Sequence, residues 1–132
     1  MNVTDSINAA DALLPGSPSP DGENDPRWQA IIAVSQHVDS EPEEVWRFVL
    51  RWGGNPQEDL RDAVATCLLE HLLDRHFDLV FPLVEEAALT DTLFADTFLR
   101  CWAFGQSQSS TNAARIEALK NRCKLRPETA ST

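Results

Sequence analysis

This sequence predicts an all-α protein, and three observations carry that prediction. Apolar residues recur at helical three- and four-residue spacing through each segment between residues 26 and 124. Helix-start signals precede those segments: Asp25-Pro26, Ser40 with Pro42, and Asn55-Pro56, each an N-capping residue type followed by proline. No segment alternates apolar and polar residues between turn signals, as a half-buried strand would.

The elements follow in order. Thr4 to Leu14 places Ile7, Ala10, Leu13 and Leu14 on one side of a short helix whose attachment is left open. The stretch from Pro15 to Asp25, PGSPSPDGEND, is linker in composition. A helix then starts at Asp25-Pro26 and carries Trp28, Ile31, Ile32, Ser35 and Val38. The next is capped by Ser40, with Pro42, Glu43 and Glu44 in its first turn, where carboxylates meet the positive end of the helix dipole. Val45, Trp46, Val49, Leu50 and Trp52 form its apolar side, and Gly53-Gly54 ends it.

Asn55-Pro56 opens a long helix to about His76 whose middle, Ala63 to Leu73, is apolar on nearly every side, which makes it the central helix. The next helix runs from Phe77 to Leu89, with Leu79, Val80, Leu83, Val84 and Ala87 as its core and Pro82 as a kink or its true first turn. Thr90 caps a helix with an apolar stripe from Leu93 to Trp102, closed by Gly105. Thr111 caps a last one, with Ile116, Leu119 and Cys123 facing inward.

These make about six helices in three antiparallel hairpins, 26–52, 55–89 and 90–124. Each has roughly the 27–35-residue size of a helical-repeat unit. The expected organisation is a flexible segment and linker over 1–25, one helical domain over 26–124, and a disordered tail over 125–132.

Residues Asn55 to Leu69, NPQEDLRDAVATCLL, resemble a HEAT-type repeat. Asn55-Pro56 stands where that family has an Asp/Pro turn, and Leu60-Arg61, Ala63, Ala65 and Leu68 stand at its helix positions; the stretch 55–73 covers one repeat. The resemblance implies a small right-handed stack of helix pairs and a protein-binding scaffold without catalytic residues. An irregular helix bundle is the alternative architecture.

Formal net charge is −10 over 132 residues. Residues 115–132 sum to +3, so −13 falls on residues 1–114. That balance disfavours nucleic-acid and anionic-membrane partners and favours a protein with a basic surface. The three cysteines, Cys67, Cys101 and Cys123, have no CxxC spacing, which fits a reducing, cytoplasmic setting better than a disulfide framework. No apolar run is long enough to span a membrane.

The candidate partner-binding residues are Glu43, Glu44, Arg51, Trp52, Asp59 and Asp62. Arg51 and Trp52 are of the types that anchor interfaces. The four carboxylates mark helix starts that would form an acidic strip if the starts line one edge. Cys67, His71 and Asp74, at i, i+4 and i+7, share a helix face and have the chemistry of a zinc site or a thiol nucleophile. Packing of Cys67 as a small buried hydrophobe and a polar contact of His71 at the core edge are the favoured explanation of them. The histidines with Glu70 and Asp78 lack the HExxH order. No phosphate-binding glycine loop or GxSxG motif occurs.

The expected function is therefore a non-enzymatic protein-binding module without cofactor or metal, similar in size and charge to immunity proteins and other stoichiometric inhibitors. A small metal- or thiol-dependent enzyme using Cys67, His71 and Asp74 is one alternative. A DNA-mimic inhibitor is another, opposed by Arg27, Arg47, Arg51 and Arg61 lying among the acids.

Overall fold

The computed structural model describes residues 2–16, 25–103 and 105–125. Most of the expected linker, and all of the tail beyond residue 125, lie outside the described residues. Among the described residues there are seven helices and no strand: α1 Val3–Leu13, α2 Pro26–Ser35, α3 Pro42–Trp52, α4 over 58–75, α5 Phe77–Thr90, α6 Thr92–Leu99 and α7 Ser110–Leu125. A 3-10 turn, Gly105–Gln108, precedes α7. Seven exceeds the expected six because the N-terminal helix is formed and docked. None of the described helices is long and apolar enough to cross a membrane.

The architecture is organised by α4. Leu60, Ala63, Val64, Leu68, Leu69 and Leu72 cover most of its circumference, and all are fully buried, while Asp62, Thr66, Cys67 and His71 stay partly exposed on the remaining side. A helix apolar on most sides is stable only when others cover it. Helices α2, α3, α5 and α6 do so. Helix α2 packs chiefly on α1 and α4, so the pair 26–52 is less self-contained than the sequence suggests. Helix α7 closes the far side against α5 and α6, burying Ile116 and Leu119.

In the middle of α4 the residues Ala65–Leu69 form a π-helical turn, in which the Glu70 N–H reaches the Ala65 carbonyl. Such a turn holds an extra residue and loosens the regular ladder. Two side chains support it. The Thr66 hydroxyl donates to the Asp62 carbonyl at 2.9 Å, and the buried Cys101 thiol lies 3.7 Å from the Ala65 carbonyl.

Arg27 is the main polar lock. Its side chain is 3 % exposed, and it pairs with Asp25, itself 4 % exposed, at 3.0 Å. It also donates to Asp59 on α4, to Gln57 at 3.1 Å, and to the Gly16 carbonyl at 3.4 Å. One guanidinium thus joins the end of α1, the start of α2 and the start of α4. Arg61, nearly buried, repeats the device: it donates to the carbonyls of Asn55 and Pro56, both at 2.9 Å, and to Asp96 on α6 at 3.1 Å.

Several local expectations are revised. Asp91, not Thr90, caps α6, accepting from the N–H groups of Leu93 and Phe94. Thr90 instead ends α5, its hydroxyl on the Glu86 carbonyl. Ser40 does not cap α3, whose N-cap is Glu41, with Pro42 starting the helix. Pro82 lies inside α5 on its exposed side, where the carbonyl left without an N–H partner can meet water. Gly53 ends α3 as expected, and a side chain there would strike the Val49 carbonyl and the Phe94 ring.

Replacing Arg27 by alanine leaves Asp25 buried without its guanidinium. The expected loss is roughly 3–5 kcal/mol of folding stability, measurable by urea unfolding. A loss below about 1 kcal/mol, as for an ordinary surface pair, would show that Arg27 is not the lock.

Candidate protein-binding groove

The sequence-predicted residues do not form one surface. Arg51 and Trp52, at the end of α3, both turn to Asp11 on α1: Arg51 pairs with it at 2.9 Å and the Trp52 indole N–H donates to it at 2.7 Å. With Ser6 bonded to His37 at 3.1 Å, and Ala10 and Leu14 fully buried, these contacts dock α1. Asp59 is held by Arg27. Asp62 lies 3.8 Å from Arg100, which also meets Glu58 at 3.2 Å and Asp96 at 3.0 Å. Asp96, chiefly through its hydrogen bond, and Glu58 raise the Arg100 pKa. The start of α4 is thus a network of alternating charge. Glu44 pairs with Arg47, and Glu43 stands exposed with no ion pair among the described residues.

Cys67, His71 and Asp74 also diverge. Cys67 is half-buried beside Thr66, and burial raises its thiol pKa. His71 lines a small depression with Ser35, Val38, Asp39 and Arg75. Asp74 faces Arg75 at 3.5 Å and the turn at Gly105, whose φ of 49° suits glycine. Among the described residues no three His, Cys, Asp or Glu side chains gather where they could hold a metal ion.

The surface that stands out was missed because its residues were assigned to the core. Leu50 on α3 and Leu79 and Leu83 on α5 are 48 %, 44 % and 37 % exposed. Helices α3 and α5 flank a shallow groove of about 260 Å³ lined by Trp46, Leu50, Leu83, Glu86, Ala87 and Thr90. Trp46 is mostly buried, its ring edge-on to Phe94 at 5.7 Å, so this part of the groove is backed by α6 and firm. The volume falls below the roughly 300–1,000 Å³ typical of small-molecule pockets. It suits anchoring side chains from another protein. The signal was present in the sequence: α5 buries Phe77, Val80, Phe81, Val84 and Ala88, and one helix face has no room for Leu79 and Leu83 as well.

A second exposed apolar residue corrects the expected α6 stripe. Trp102 is 74 % exposed, although its backbone is pinned. The Trp102 N–H donates to Glu70 at 2.9 Å, and Lys120 donates to the neighbouring Cys101 carbonyl at 2.9 Å. Glu70 is buried, and desolvation, its largest influence, raises its pKa. Comparison with protein-family profiles, curated proteins and solved structures finds no match to this chain.

Two outcomes follow. Because the folded protein holds the Glu70 proton more tightly than the unfolded chain does, ionised Glu70 costs stability above its folded pKa, and the cost fades as pH falls through that value. Glu70→Gln should therefore melt higher than wild type near pH 8, with the advantage gone by about pH 4; a pH-independent difference would refute this. Asp11→Ala should cost roughly 1–3 kcal/mol by stranding the Trp52 indole N–H and should shift Trp52 fluorescence. Unchanged fluorescence would show that α1 is held by its apolar contacts alone.

Proposed function

We propose that this chain is a non-enzymatic protein-binding module, an acidic stoichiometric inhibitor of the immunity type, that engages its partner through the α3/α5 groove. The observation that carries the reading is the exposure of Leu50 and Leu83 around a groove floored by Trp46, with Leu79 exposed one turn further along α5. Large apolar side chains gathered on a surface mark an interaction site when they share one concavity. Two features support it. The net charge of −10 would hasten encounter with a basic protein. The HEAT-like stretch over 55–73 resembles scaffolds that bind proteins through stacked helices. Cys67 and Cys101 stand as free thiols, in keeping with a cytoplasmic setting.

This reading relocates the contact surface. Arg51, Trp52, Asp59 and Asp62 serve within the fold, through Asp11, Arg27 and Arg100. Glu43 is exposed at the start of α3 and is the carboxylate there left to meet a basic partner, while Glu44 is paired with Arg47.

The experiment is site-specific photo-crosslinking in host cells. A photoreactive amino acid at position 50 or 83 should trap one protein partner in a one-to-one adduct, and the same group at the exposed control Gln36 should not. A partner trapped equally from Gln36, or from neither groove position, rejects the groove as the contact surface.

A further inference from the structure

We infer that the element received by the groove is a basic amphipathic α-helix of the partner protein. It would seat apolar side chains between Leu50 and Leu83 and place Lys or Arg side chains beside Glu43 and Glu86. The inference rests on the protein-binding reading above and names the chemistry of the partner.

Shape selects the element. The groove walls are side chains of two helices, and every wall residue named above is helical. A partner segment that bound by strand addition would need a sheet edge, and no strand occurs among the described residues. A helix satisfies its own backbone and needs only an apolar trough. Along α5 the exposed face Leu79, Leu83, Glu86, Thr90 advances by i+4, i+7 and i+11. At 1.5 Å per residue that face is about 16 Å long, which matches about three turns of a bound helix.

Charge selects the polarity of its flanks. Four carboxylates lie on the walls or beside them: Glu43 and Glu44 on α3, and Glu85 and Glu86 on α5. Glu44 is taken by Arg47 at 2.5 Å, and Glu85 meets Arg122 at 3.9 Å. Glu43 and Glu86 have no ion pair among the described residues, so each wall offers one uncompensated negative charge. An acidic helix would be repelled by both.

The basic helix α7 of a second copy does not answer this description. Its apolar residues Ile116 and Leu119 are already buried in its own fold. Arg115 lies over the Phe77 and Phe81 rings, and Lys120 is bonded to the Cys101 carbonyl.

The test uses the full chain and two fluorescein-labelled peptides of about 18 residues, long enough for a stable helix. Both carry leucine at i, i+4, i+7 and i+11. One has lysine flanks and its twin has glutamate flanks. Fluorescence anisotropy at low salt should show the lysine peptide binding at least roughly tenfold more tightly than its twin. Glu43→Lys combined with Glu86→Lys should erase most of that preference. Leu83→Ser should abolish binding while its circular-dichroism spectrum at the assay temperature stays that of the folded wild type, since Leu83 lies outside the buried core.

Equal binding of both peptides, lost in Leu83→Ser, overturns the basic-helix assignment and leaves the groove reading intact. Binding of neither peptide, while crosslinking still traps a partner from positions 50 and 83, overturns the helix as the occupant. Lysine-peptide binding that survives Leu83→Ser shows diffuse attraction to an acidic surface and overturns both readings.

Discussion

A helix that is apolar over most of its circumference sets the terms for everything packed near it. Leu60, Val64, Leu68, Leu69 and Leu72 of α4 are fully buried, and only a strip through Asp62, Thr66, Cys67 and His71 stays partly exposed, so α2, α3, α5 and α6 must cover the rest. Where the ends of its neighbours meet α4, the chain places arginine. Arg27 and Arg61 sit where α1, α2, α4 and α6 approach one another, and each reaches carboxylates and carbonyls together. A planar guanidinium with five donors is suited to such junctions, where an ammonium group is not.

This arithmetic explains why a strongly acidic chain lacks a continuous acidic strip at the α4 start. Carboxylates gather there because the helix dipole favours them, and arginines from the flanking helices then neutralise them from inside the fold. The charge left over lies further out, on α3, on α5 and along the exposed helix faces. Negative charge without internal partners is thus separated in space from negative charge that holds the fold together, though both come from the same residue types in similar sequence settings.

Much of the fold was legible beforehand. Asp25-Pro26 and Gly53 punctuate helices as their chemistry requires, and the apolar pattern of Ala63 to Leu73 marks α4 as central; Asn55-Pro56 instead forms a turn ahead of α4, whose N-cap is Gln57. The docking of α1 was not legible. It depends on Asp11 meeting Arg51 and Trp52 across forty residues of sequence, and local pattern carries no information about such a pairing. The same blindness hid that Arg51 and Trp52 meet Asp11, because an anchor residue has the same composition whether its pocket is supplied by a stranger or by its own chain. The groove was hidden for the opposite reason. Leu79 and Leu83 read as core by type, and only the number of apolar side chains competing for one face of α5 could have shown that some must stay outside.

The π-helical turn at Ala65–Leu69 gives α4 an unusual property. One surplus residue in a helix acts as a phase shifter: everything C-terminal to it is rotated by nearly a third of a revolution relative to an uninterrupted ladder. Upstream of the turn, α4 offers Arg61 to α6 and Asp59 to α2. Downstream it offers Glu70 to the strap before α7. The two halves are therefore keyed to different neighbours by a vernier built from a single amino acid. Loss of one residue within the turn would let the ladder close as regular α-helix, with Glu70 and the segment to Arg75 still facing their present contacts. Straightening the turn at full length would instead rotate that segment away from them.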